Sequence, residues 1–231
     1  MKIYYRLSNK NAGISKLKLP HATKEHCLNN CINVFGRDSI TVIGDNLNQE
    51  TEQMVKDLRL NLIKVKNSSG AGTFRDALNL AIRQNTDEEV VYLLEDDFLH
   101  TPNANKIIEE GVKTFNMYVT GYDHLDKYIN KDFGGNPFIE DGGEVTRVVK
   151  SESSHWKITN STVMSFAATV GRLKKDKELL DKFSSSPITD SFGFFLTLAR
   201  EKGIGCLSSI PGVSTHVEKN WLSPLVDWTK I

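Results

Sequence analysis

The run Val90-Val91-Tyr92-Leu93-Leu94, breaking directly into Glu95-Asp96-Asp97, constrains this chain more than any other feature. Five apolar residues in a row, with no polar alternation, predict a strand covered on both faces, as in the parallel sheets of α/β proteins. Three carboxylates then stand where that strand leaves the core. Alternation puts Glu95 and Asp97 on one side of the extended chain and Asp96 on the other. Like charges crowded at the edge of a core raise one another's pKa unless a cation is present. A divalent ion is an economical partner, and oxygen donors of this kind suit Mn²⁺ or Mg²⁺, whose shells substrate phosphates complete. Asp97 is the best-placed ligand. A solvated acidic turn is the alternative, and Phe98-Leu99 immediately after the triad argues against it.

Upstream, strands and helices alternate. Residues 2–7 predict a strand leading into a polar loop of Ser8, Asn9, Asn11 and Gly13, and 21–35 a helix with Cys27, Leu28, Cys31, Ile32 and Phe35 on one face, stopped by Gly36. A strand over 39–44 ends at Asp45, a helix follows over 49–58, and a strand over 62–65 precedes Gly70-Ala71-Gly72. Thr73 is expected to cap the next helix, whose apolar face is Phe74, Ala77, Leu78, Leu80 and Ala81. This alternation implies an α/β/α sandwich around a mixed, mostly parallel central sheet. The second half is less regular: a helix over 105–115, a strand over 117–119, a Gly-, Asp- and Asn-rich loop over 132–143, and a hairpin or two mixed strands over 144–150 and 156–168. Helices over 175–183 and 190–202 and a strand over 205–210 complete it. At 231 residues one core suffices. The chain is expected to be a single domain, with a nucleotide-type half over 1–100 and a half over 101–231 that holds a second substrate and the tail.

Charge narrows the partners. The 29 basic and 29 acidic side chains cancel, and no block of like charge occurs, which disfavours nucleic acid and an anionic membrane surface. No apolar run approaches the roughly 20 residues of a spanning helix, and no signal-peptide core is visible, so the expected location is cytoplasmic, at most peripheral to a membrane. Three cysteines cannot make a disulfide framework. Cys27 and Cys31 lie near His21 and His26 but lack a second ligand pair at zinc spacing, and read as helix packing.

The order of elements, with Asp45 ending the second strand, Gly70-Ala71-Gly72 ahead of a helix bearing Arg75, and an apolar strand opening into Glu95-Asp96-Asp97, resembles the GT-A glycosyltransferases of the family-2-like group. The resemblance spans residues 2–220. It implies that the acidic cluster is the D-x-D-type motif holding Mn²⁺ or Mg²⁺ against the diphosphate of a nucleotide sugar, with Glu95 where the motif's first Asp would stand. Ile188-Thr189-Asp190-Ser191-Phe192-Gly193-Phe194 resembles the segment carrying the family's catalytic base, and Asp190 is its one acidic residue; a helix N-cap is the competing role. Pro211-Gly212-Val213-Ser214-Thr215-His216 resembles the family's post-strand histidine, which makes His216 a second metal ligand. By the same likeness Arg6, Ser8, Asp45, Arg75, Glu95 and Asp96 sit where the donor's base, ribose and phosphates are held. Trp156, Asn160, Ser161 and Thr162 offer the aromatic face, amide and hydroxyls that suit a sugar acceptor; plain core is the alternative for Trp156. The segment from Trp221 to Trp228 folds over the site or docks as an ordinary terminus.

The expected function is therefore metal-dependent glycosyl transfer from a nucleotide-diphosphate sugar, a UDP-sugar first and a GDP-sugar next, to a saccharide or other hydroxyl acceptor, with inversion and Asp190 as base. Three alternatives stay open. A sugar-nucleotide-forming nucleotidyltransferase would carry a Gly-rich, basic loop after the first strand, present only in dilute form over 8–19. A phosphohydrolase would open with D-x-D-x-T/V, absent here. A non-catalytic module would bind sugar or nucleotide without turnover.

Overall fold

Strand β4 (Val90–Glu95) sends its side chains alternately into two separate cores, which is why Val90 to Leu94 shows no polar alternation. Tyr92 and Leu94 pack into one cluster, Val91 and Leu93 into the other. The computed structural model describes residues 1–9, 17–160, 162–203 and 205–231. The expected loop residues Asn11 and Gly13, and the candidate Ser161, lie outside that set.

The chain order begins β1 (Lys2–Ser8), α1 (Lys24–Phe35), β2 (Ile40–Asp45), α2 (Gln49–Asp57), β3 (Asn61–Val65), α3 (Gly70–Gln84) and then β4. It continues with β5 (Phe98–His100), α4 (Ala104–Phe115), β6 (Tyr118–Thr120), β7 (Val148–Lys150), β8 (His155–Thr159) and β9 (Phe166–Thr169). The last elements are α5 (Val170–Lys175), α6 (Lys177–Phe183), α7 (Ser191–Lys202), β10 (Cys206–Ile210) and β11 (Ser214–His216).

The described residues form a nine-stranded sheet in the order β3-β2-β1-β4-β9-β6-β10-β8-β7, with β5 and β11 as a separate antiparallel ribbon. β1 runs parallel to β2 and β4, β2 to β3, and β6 to β10. β9 is antiparallel to both neighbours, and β8 to β10 and β7. So β8 and β9 oppose the other seven strands, and the sheet is mixed but mostly unidirectional. Helices α1, α2 and α4 cover one face through Leu28, Cys31, Val55, Ile108 and Val112. On the other face, α3, α5, α6 and α7 bury Phe74, Leu78, Val170, Leu180 and Phe194. The result is the expected α/β/α sandwich, and it lines up the ends of β1, β2, β3 and β4 on one edge, the edge at which open α/β sheets bind ligands.

Three departures from the sequence expectation have local causes. Helix α3 starts at Gly70, because the Ser69 side chain caps it by accepting from Gly72 N at 3.1 Å; Thr73 is interior and spends its hydroxyl on Asp45. The glycines belong to the first helical turn: a Cβ on Gly72 would lie 2.6 Å from Asn67 Cβ. The region expected as a hairpin or two mixed strands over 144–150 and 156–168 holds three strands. β7 and β8 form a hairpin at the sheet edge, while β9 inserts between β4 and β6. The expected helix over 175–183 starts at Lys177, and a further helix, α5, precedes it; the two are separated by Asp176, whose buried carboxylate accepts from Tyr118 Oη at 3.0 Å and pairs with Lys202 at 2.6 Å.

Candidate functional site

Because β1 and β4 are parallel neighbours, the end of the first strand stands beside the acidic triad. Arg6 pairs with Glu95 in strand register, and its Nη2 lies 3.3 Å from Glu95 Oε1 while donating to Met164 O at 2.8 Å. The Arg6 guanidinium also covers the Phe74 ring at 5.4 Å. Asp96 Oδ2 accepts from Ser8 N at 3.0 Å and from Lys24 Nζ at 2.6 Å. Asp97 Oδ2 accepts from Lys18 Nζ at 2.9 Å and lies 2.9 Å from His216 Nε2. The histidine arrives by strand pairing. β5 begins directly after the triad, β11 pairs it antiparallel with His216 opposite Phe98, and Val217 N donates to Asp97 O at 3.0 Å.

Among the described residues, ligand atoms of Glu95, Asp97 and His216 lie within 4.8 Å of one another. Two carboxylates and an imidazole on strand ends are a donor set that fits Mn²⁺ or Mg²⁺ completed by phosphate or water. Burial raises the Glu95 carboxyl, against the opposing charge of Arg6. Burial would raise Asp97 too, but His216 and Lys18 outweigh it and hold that carboxyl far below the usual range. Glu218 Oε2 stands 3.7 Å behind His216 Nδ1.

The charge argument made from sequence needs correction. Each carboxylate has its own protein cation: Arg6 for Glu95, Lys24 for Asp96 and Lys18 for Asp97. A divalent ion is therefore not required to make the triad tolerable, and the case for a metal rests on the converging donors. All three cations come from the first 24 residues. Lys18 and Lys24 were not singled out from the sequence, where the one hint was two lysines flanking Pro20 soon after the first strand.

The other expected donor residues are committed within the chain. Asp45 Oδ1 accepts from Asn46 Nδ2 at 2.7 Å, Asn67 N at 2.8 Å and Ser68 N at 3.3 Å, and its Oδ2 accepts from Thr73 Oγ1 at 3.1 Å. It clamps the turn before α3 to the end of β2. Arg75 Nη1 donates to Ser184 O at 2.8 Å, tying α3 to the end of α6. Asp190 caps α7, with Oδ1 accepting from Gly193 N at 2.8 Å and the residue exposed.

Of the acceptor candidates, Trp156 is overturned. It is fully buried, its indole Nε1 donates to Ser151 Oγ at 2.9 Å, and its ring packs on Gly111 and Phe115, so no face remains for a sugar. Asn160 Oδ1 accepts from Lys127 Nζ at 2.5 Å and Asn136 Nδ2 at 3.1 Å. Thr162 is fully buried.

These contacts belong to a second charged cluster that sequence reasoning missed. Lys157 Nζ lies 2.9 Å from Asp123 Oδ1 and 3.3 Å from Glu144 Oε2, and Tyr128 Oη donates to Asp123 Oδ2 at 2.8 Å. Lys127 lies 3.4 Å from Asp126, whose Oδ2 accepts from Asn136 Nδ2 at 3.1 Å. Ring contacts of Tyr122 with Phe98 (5.5 Å) and His124 (4.8 Å) join this cluster to the acidic triad. Its members are spread from 123 to 160 across a loop and a strand, so no spacing rule reveals them. In the last segment Trp228 is buried in the cluster of Leu19, Leu99 and Val217, while Trp221 meets the His124 ring at 5.5 Å and its carbonyl accepts from Tyr122 Oη at 2.5 Å.

No protein-family model matches this sequence, and no curated protein does. Solved structures resemble it in fold. A mycobacterial protein is 11% identical with a TM-score of 0.49, covering 90% of this chain; this chain spans 64% of that protein's length. A CMP:2-keto-3-deoxy-manno-octonic acid synthetase complexed with CTP is 11% identical with a TM-score of 0.48, over 92% of each chain. A Desulfovibrio desulfuricans protein described as a nucleotide-diphospho-sugar transferase is 10% identical with a TM-score of 0.49, over 90% of this chain and 80% of that one. Among the described residues no helix is long and apolar enough to cross a membrane.

Proposed function

We propose that this chain is a divalent-metal-dependent transferase acting on a nucleotide-linked sugar, and that it transfers the sugar to an acceptor hydroxyl. The observation that supports this reading best is the convergence of Glu95, Asp97 and His216 at the edge where the parallel strands end. A metal ion held by those three residues supplies charge neutralisation for the departing diphosphate. The chain's own residues do the rest. Ser8 N and Lys24 fix Asp96, and Arg6 fixes Glu95, so the donor end is rigid before substrate arrives. Asp190 keeps Oδ1 on its cap and has Oδ2 to accept the proton of an acceptor hydroxyl, the role required for single displacement with inversion.

A second reading is sugar-nucleotide formation. What favours it is Lys18, since the segment after β1 delivers a lysine into the acidic cluster, as an enzyme handling a nucleoside triphosphate needs.

A thermal-shift panel of UDP, GDP, CDP, ADP and dTDP, each with Mn²⁺ and with EDTA, tests the common core on the natural chain and on Asp97→Asn. One diphosphate is expected to stabilise only with Mn²⁺ and only the natural chain, by about 2.7 kcal/mol at about 100 times its Kd. The matching nucleotide sugar should then be consumed with release of that diphosphate. Pyrophosphate release from a nucleoside triphosphate and a sugar would move the assignment to the second reading. No stabilisation by any of the five would overturn both.

A further inference from the structure

Asp97 carries its cation partner from within the chain, and that partner occupies a ligand atom. Lys18 Nζ sits 2.9 Å from Asp97 Oδ2, the same oxygen that His216 Nε2 approaches at 2.9 Å. The three protein cations of the triad differ in how firmly they are held. Arg6 is 4% exposed at its side chain, bonded to Met164 O and laid over Phe74. Lys24 faces Asp96, which is outside the converging set. Lys18 is 40% exposed at its side chain, and its flexible stem ends on a ligand of that set. Its backbone is nevertheless pinned. Lys18 bridges Glu218, Leu19 N donates to Val217 O at 3.0 Å, and Lys219 N donates to Leu17 O at 2.8 Å, so the ammonium cannot travel far from the triad.

We propose that Lys18 is a resident counter-ion at the metal position, displaced from Asp97 when a divalent ion binds and then held within reach of the substrate's phosphates. The proposal rests on the metal-site reading above and adds a residue that it does not include. An ammonium and a divalent ion cannot share Asp97 Oδ2 with His216 without strong repulsion, so entry of the ion expels the ammonium. Anchored at its backbone, the released lysine adds a point charge beside the bound ion, where a diphosphate would neutralise both. Metal and diphosphate binding are then mutually reinforcing. The ion binds weakly alone, because it must first break the Lys18 pair, and more tightly when phosphate oxygens receive the freed ammonium.

The test titrates Mn²⁺ alone, by the loss of its free paramagnetic signal, into the natural chain, Lys18→Met and Lys24→Met, each shown to melt normally, and repeats it with inorganic pyrophosphate. Methionine keeps the apolar stem and removes the charge. Lys18→Met is expected to bind Mn²⁺ roughly five- to tenfold more tightly than the natural chain, the size of a lost, partly exposed ion pair. Lys24→Met, whose partner is not a ligand, is expected to gain no more than about twofold by general electrostatics. Pyrophosphate is expected to enhance Mn²⁺ binding to the natural chain and to do so less in Lys18→Met. Unchanged or weaker Mn²⁺ binding in Lys18→Met, or equal gains in the two lysine variants, would overturn the exchange while leaving the metal site standing. No Mn²⁺ binding by any of the three proteins would overturn the site and the exchange together.

Discussion

Arg6 and Glu95 are partners twice over: their Cα positions are matched in the β1–β4 register, and their side chains meet with Nη2 3.3 Å from Oε1. Main-chain pairing thus delivers a cation to the first carboxylate of the triad without any loop having to place it. Arg6 is almost fully buried, whereas Glu95 keeps about a quarter of its side chain exposed. Removing the arginine leaves a largely desolvated carboxylate without its cation and takes the Arg6 donor from the Met164 carbonyl.

Arg6→Met should therefore cost about 2 to 4 kcal/mol in urea unfolding at neutral pH. The pH dependence fixes the cause. Burial already raises the Glu95 carboxyl, and without Arg6 it rises further above its unfolded value. A carboxyl raised on folding destabilises above the unfolded pKa and ceases to do so once protonated. The deficit of Arg6→Met should shrink between about pH 7.5 and about pH 5. A deficit independent of pH would mean that lost packing on Phe74, and not the ion pair, is what the variant reports.

Asp190 combines a structural and a proposed chemical role on one carboxylate, and substitution separates them. Asn caps a helix about as well as Asp, whereas Ala costs roughly 1 kcal/mol. Asp190→Asn should keep the natural unfolding midpoint and nucleotide binding yet lose turnover by a factor of about a hundred or more. Asp190→Ala should lose both turnover and about 1 kcal/mol. Full turnover in the Asn variant would remove Asp190 from the mechanism and leave it as the cap of α7.

The legibility of this chain followed the range of its interactions. Strands such as β4 and helices such as α1 were readable because the signal is local: period, cap and stop signal lie within a few residues of one another. Asp97 was singled out by its place after the apolar strand and His216 through the family resemblance; strand pairing brings the two together, and that they hold a metal is the proposal. Lys18 and Lys24 were not singled out, because their pairing depends on where the chain around Pro20 and the start of α1 lie relative to β4. The Asp123–Lys157 pair was hidden by 34 positions of separation, 157 minus 123. Trp156 shows the opposite limit: an indole in a strand is compatible with a sugar platform or a core, and only its neighbour Gly111 decides.

The second charged cluster makes a prediction in acid. Burial would raise Asp126, but His124, then Lys127 and Asn136, bring its carboxyl down to about 2. A carboxyl lowered on folding gives stability that is complete above its unfolded pKa of about 3.9 and is lost as pH falls toward the folded value. Asp126→Asn should lower stability by up to about 2 kcal/mol at pH 7 and flatten the acid limb between about pH 4 and pH 2. Denaturant midpoints measured across that window check it. An acid limb as steep as in the natural chain would show that other carboxylates carry it.

Trp156 and Gly111 make the last prediction, and it decides whether the indole is core or ligand platform. A Cβ at position 111 would fall 2.6 Å from Trp156 Cη2, closer than carbon atoms pack. Gly111→Ala should therefore lose about 1 to 3 kcal/mol through overpacking, despite alanine's better helix propensity. Trp156→Leu should lose about 2 to 4 kcal/mol by leaving space and removing the indole's donation to Ser151 Oγ. In the double variant the added methyl enters the space the indole vacated, so that variant's loss should fall short of the sum of the two single losses by at least about 0.5 kcal/mol. Urea unfolding of the four proteins gives that coupling, and strict additivity would mean that the two residues do not touch. Since Trp156 presents no face to solvent, none of the three variants should alter the acceptor's KM beyond about twofold while the protein remains folded.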